Sequence, residues 1–132
     1  MNNSFYIKDD EAEIRTVCKF IENMGFEYSL MNDFLICYES EKYQIIIEYE
    51  RYGESASVNI SFKNPKYGNE SYSIGWSAKV DDEVDFEQYT ARPYSKLLAI
   101  KKEIQFIKDN PDKVFDEEYC YKMKKIYDNL PF

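Results

Sequence analysis

The sequence predicts an α+β fold in which an N-terminal helix, a five-stranded antiparallel meander and two C-terminal helices follow one another along the chain. Three observations predict it. Apolar residues recur at helical spacing near both ends, β-branched and aromatic runs fill the stretch between, and short turn sequences separate those runs. With 132 residues, positions 1–132 are expected to form a single domain. A chain of that length buries roughly two-thirds of the surface exposed when unfolded, enough to fold without a disulfide or a structural metal.

Ile14, Val17, Cys18, Ile21 and Met24 give the first helix, between Asp10 and Met24, its apolar stripe. Asp9 or Asp10 is a natural N-cap, acidic residues complement the first turn, and Gly25 offers the left-handed conformation that ends a helix. Strands are then expected at about Phe26 to Met31, Phe34 to Glu39, Lys42 to Glu50, Ser55 to Phe62 and Ser71 to Val80. Asn32-Asp33, Ser40-Glu41, Tyr52-Gly53 and a loop rich in Pro, Gly and Asn join them, which implies neighbouring hairpins.

Alternation assigns Val58, Ile60 and Phe62, with Tyr72, Ile74, Trp76, Ala78 and Val80, to the core face. Ser57, Asn59, Ser61, Ser71, Ser73 and Ser77 fall on the opposite, wetter face. The uninterrupted Ile45-Ile46-Ile47 suggests a more central strand, or one covered on both sides for part of its length. Beyond Pro93, the residues Tyr94, Leu97, Ile100, Ile104 and Ile107 mark a helix, and Tyr119, Met123, Ile126, Tyr127 and Leu130 mark another. Asn110-Pro111 or Asp116 begins the latter.

Seventeen basic and 25 acidic side chains give a net charge of −8. That balance disfavours nucleic acid and anionic membranes as partners and favours a protein with a basic surface. Met1 to Asp10 lacks a basic segment leading into an apolar run, and no stretch has the length of a membrane span, so a cytoplasmic location is expected. Cys18, Cys37 and Cys120 are scattered and odd in number, as reduced thiols would be.

Histidine is absent, which removes the usual base of serine and cysteine nucleophiles and the usual zinc frameworks. None of the four glycines forms a phosphate-binding Gly-x-Gly-x-x-Gly. Asp81, Asp82, Glu83, Asp85 and Glu87 superficially resemble a calcium loop, but Phe86 stands where the loop needs glycine and Arg92 where it needs an acid. No catalytic residue, cofactor or metal site is therefore expected, and the chain is read as a non-enzyme.

Thirteen Tyr and nine Phe accompany one Trp, and tyrosine supplies rigid amphipathic area to interfaces. In a sequential meander alternate turns share one end of the sheet. Asp33, the hairpin residues Glu50, Arg51, Tyr52 and Glu54, and the loop residues Asp81, Asp82, Glu83, Asp85, Phe86 and Glu87 are thus expected to converge as a partner-binding end. Acids would steer a basic partner and aromatics would hold it. The tyrosine-rich surface is also compatible with a homodimer.

The stretch Tyr43 to Phe62, with Tyr49-Glu50-Arg51-Tyr52-Gly53-Glu54 and Ser57-Val58-Asn59-Ile60-Ser61-Phe62, followed by Ser73-Ile74-Gly75-Trp76, resembles small immunity-type proteins of bacterial polymorphic toxin systems. The resemblance covers the central sheet and transfers no catalytic residue. It implies an acidic, cytoplasmic α+β antitoxin that neutralises a cognate toxin by covering its active site. An adaptor or regulatory subunit of another bacterial complex has the same features, and an enzyme acting on a small molecule through Tyr, Lys and carboxylates is a third class.

Overall fold

A computed structural model describes residues 5–68 and 71–131. Five antiparallel strands follow the chain in spatial order, β1 (Glu27–Asn32), β2 (Leu35–Glu39), β3 (Tyr43–Tyr49), β4 (Ala56–Phe62) and β5 (Tyr72–Ser73). Their register aligns Tyr38, Ile45, Ile60 and Tyr72 in one row and Ile36, Ile47 and Val58 in the next. Every one of these seven is buried. One face of the sheet thus supplies one side of the core, and β3, carrying the three isoleucines, is central as its sequence suggests. Ile46 points to the other face, between Cys37 and Asn59, where it is half-buried.

The N-terminal segment is a 3-10 turn (Ile7–Asp10) followed by α1 (Glu11–Val17) and α2 (Lys19–Asn23), rather than one continuous helix. The break falls at Cys18, whose φ of −91° and ψ of 8° leave the α region. The apolar stripe survives it, because Ile14, Cys18 and Ile21 are all buried. Gly25 ends the segment with a φ of 97°. Met24, expected on the stripe, is half exposed at the helix end. Asp10 occupies the N-cap position but makes no cap bond; its carboxylate accepts the Tyr49 hydroxyl at 2.6 Å.

The predicted strand Ser71 to Val80 is the largest correction. Only Tyr72–Ser73 pairs with β4, and Ile74–Val80 forms a helix, α3. The apolar positions Ile74 and Ala78, or Trp76 and Val80, lie four apart, so they satisfy the helical period as well as strict alternation. Ser73 tips the balance by accepting the Trp76 N–H at 3.4 Å as an N-cap. Ile74, Ser77 and Ala78 are then the buried face, so Ser77 moves from the expected wet side to the core.

Helix α4 (Lys96–Asp109) lies against β4, with Ile100, Ile104, Phe106 and Ile107 buried and Ser95 capping it through the Leu98 N–H at 3.1 Å. A short α5 (Pro111–Val114) leads to α6 (Glu117–Asp128), capped by Asp116 and packed on α3. Phe115 covers Tyr43, with ring centroids 4.8 Å apart, and closes the core at the end opposite the β3–β4 hairpin. Apart from Cys37 and Ala99, the buried apolar side chains from Ile7 to Cys120 form one cluster. Burial raises all three thiols, Cys18 and Cys120 to about 12. Among the described residues no helix is long and apolar enough to cross a membrane.

Candidate functional site

Because strand order is sequential, the β1–β2 and β3–β4 turns emerge side by side. The Tyr49 N–H donates to the Phe34 carbonyl at 2.9 Å, and Asn32 fixes its turn by accepting the Phe34 N–H at 2.8 Å. Phe34 is the centre of an aromatic group, with Tyr6 at 5.3 Å, Phe5 at 5.6 Å and the Arg51 guanidinium 4.7 Å above its ring. Tyr52, at the hairpin tip, is 90% exposed. Asp33, Glu50, Arg51, Tyr52 and Glu54 are therefore gathered at one end. The Glu50 side chain folds over Gly53, where a Cβ would stand 1.3 Å from its Oε1.

Beneath this end lies Lys96, a buried lysine that the sequence reading missed. Its ammonium donates to the Glu50 carbonyl at 2.9 Å and sits over the rings of Phe5 and Tyr49, 5.3 and 5.4 Å from their centroids. One side chain thus ties the hairpin, the N-terminal segment and the start of α4 together.

The acidic loop does not join them. Asp81 is buried, accepting the Tyr119 hydroxyl at 2.7 Å, the Lys113 ammonium at 2.9 Å and the Glu83 N–H at 2.9 Å. Burial pushes its carboxyl up, but the three hydrogen bonds and the lysine charge outweigh that and hold it below the usual carboxylate range. Lys113 lies beyond the C-terminal end of α4, whereas Lys96 and Glu50 lie at its N-terminal end, roughly 20 Å away along the helix axis. Glu83 shares Lys113, Asp85 caps the 3-10 turn Phe86–Tyr89, Glu87 pairs with Arg92 at 3.3 Å, and Asp82 is exposed. The expected convergence of three loops is reduced to two, because the chain leaves β5 as a helix and carries the acids along α4.

That departure leaves half of β4 without a strand partner, and α4 and the segment before it fill the gap. The Ala56 N–H donates to the Tyr94 hydroxyl at 3.2 Å and the Val58 N–H to Glu103 Oε1 at 2.9 Å. Glu103 also accepts the Gly75 N–H at the start of α3, yet burial dominates and pushes its carboxyl up to about 7. Glu103 lines a groove of about 270 Å³ whose walls include Trp76, Phe86, Tyr89, Tyr94 and Tyr127. Phe86, singled out in the sequence, belongs here rather than at the hairpin end.

The signal for Lys96 and Glu103 was present in the sequence: both fall on the apolar stripe of α4, four before and three after Ile100. Among the described residues no three His, Cys, Asp or Glu side chains are grouped so as to hold a metal. In comparison with known proteins, the chain matches no protein-family model, no curated protein and no solved structure.

Proposed function

We propose that this chain is a cytoplasmic, non-enzymatic protein-binding module of the immunity type, which neutralises a toxin by covering it with the sheet end around Tyr52. The observation that carries this reading is the concentration of Phe5, Tyr6 and Tyr52, all exposed, around Arg51 at one end of a rigid sheet. Exposed aromatics beside an arginine are the composition of binding hot spots, and Asp33, Glu50 and Glu54 surround them with charge that attracts a basic surface. Phe5 and Tyr6 also need little ordering on binding, because Phe34 and Lys96 already hold them in place.

Co-expression with the protein encoded beside it tests the reading. Growth rescue and a stable one-to-one complex are expected, and the double substitution Arg51→Ala, Tyr52→Ala should weaken that complex at least about a hundredfold while leaving the melting temperature within a few degrees. A harmless neighbour that does not bind, or a double variant that binds as tightly as the parent, would overturn it.

A further inference from the structure

The groove beside α4 has a chemistry that its role in the fold does not exhaust. Glu103 accepts one backbone N–H from β4, that of Val58, and one from α3, that of Gly75, which leaves further lone-pair sites on its carboxylate. No side-chain cation is paired with it among the described residues. The surrounding walls are aromatic, and the faces of Trp and Tyr attract cations. Lys79, itself a lining residue of the groove, stands 5.9 Å over the Tyr127 ring, an intramolecular example of that attraction.

A second observation comes from Gly75, which also lines the groove. It is the second residue of α3, and its φ is not among the positive values that call for glycine. Nor does packing require it: a Cβ built there would meet nothing closer than 3.6 Å. Glycine is a poor helix former, so an alanine would suit the backbone better. Two of the atoms at 3.6 Å are the Glu103 Cδ and Oε2. A side chain at this position would cover the carboxyl group and touch the Ser73 Oγ, also at 3.6 Å.

We propose that the groove receives the ammonium or guanidinium end of a lysine or arginine side chain of the protein partner, with its stem against the aromatic walls and its charge on Glu103. Only the source of the cation rests on the protein-binding reading. Charge complementarity selects the occupant: an enclosed carboxylate without a counter-cation, open to solvent through a missing Cβ, is completed better by a positive group than by a neutral one. Phe86 and Trp76 give the stem a surface to bury, so a long basic side chain fits better than a bare inorganic cation.

Trp76 is the only tryptophan in the chain, so its fluorescence reports directly on the groove. The full chain is titrated with acetyl-Gly-Arg-Gly-amide and acetyl-Gly-Lys-Gly-amide, and with acetyl-Gly-norleucine-Gly-amide as a neutral control. A saturable change in emission is expected with the two basic peptides, at least about tenfold weaker with the control. Gly75→Ala, which keeps α3 helical, and Phe86→Ala, at an exposed wall, should each weaken the basic peptides several-fold with the circular dichroism spectrum unchanged. Equal response to the neutral peptide, or full affinity in both variants, would overturn the proposal. Tighter binding of free agmatine than of the arginine peptide would overturn the assignment to a protein side chain. The titration uses no partner protein, so its result stands apart from that of the co-expression test.

Discussion

Asp81 and Glu103 are both enclosed carboxylates, and they shift in opposite directions. Asp81 has a lysine ammonium, a tyrosine hydroxyl and a backbone N–H within hydrogen-bond distance. Glu103 has two backbone N–H groups and no cation. Burial acts on each in the same sense, so the difference comes from the Tyr119 hydroxyl and the Lys113 ammonium, which Asp81 has and Glu103 lacks. Where a cation is supplied the acid becomes an anchor of the fold, and where it is withheld the acid retains capacity for something from outside.

The largest effect that sharpens this contrast is expected at the anchor. Asp81→Ala leaves Lys113 and the Tyr119 hydroxyl without their shared acceptor and detaches α6 from the loop after α3. A loss of about 2–4 kcal/mol in denaturant unfolding is expected. A loss below about 1 kcal/mol would show that the anchor is dispensable.

An intermediate effect is expected at Glu103, and it depends on pH. The carboxyl is raised from 4.5 to about 7 in the folded chain. Between those values the folded state holds the proton more tightly than the unfolded state does, so this group's contribution to stability falls as pH rises through that window and is constant above it. Glu103→Gln is neutral throughout. Its stability relative to the parent should therefore improve by about 2 kcal/mol between pH 5 and pH 8. A pH-independent difference would break the contrast with Asp81, whose lowered carboxyl stabilises above its unfolded value and loses that contribution as acid is added.

The smallest effect is expected from Tyr119→Phe, which removes one of the three hydrogen bonds to Asp81 and leaves the lysine in place. Roughly 1 kcal/mol of stability should be lost. A loss equal to that of Asp81→Ala would mean that the hydroxyl, rather than the charge, makes the anchor.

Strand order, the central place of β3 and the stripe of α4 were legible because short turns permit only neighbouring pairing and because apolar periodicity survives over many residues. Ser73 to Val80 was not, since residues spaced by two are also spaced by four and a single capping hydroxyl decided between the patterns. Asp81 and Asp82 are adjacent acids in one loop, one buried and one exposed, and nothing local distinguishes them. Lys113, 32 positions away, does. The hairpin half of the candidate site followed from topology alone, whereas the groove needed four segments that only tertiary packing brings together.

The sealing of β4 has a consequence for behaviour in concentrated solution. Ala56 and Val58 give their N–H groups to Tyr94 and Glu103, so this stretch cannot recruit a strand from a neighbouring molecule. An unsealed edge backed by Val58 and Ile60 would be a template for aggregation. The same carboxylate that leaves the groove receptive therefore also keeps other copies of the chain from adding a strand at this edge.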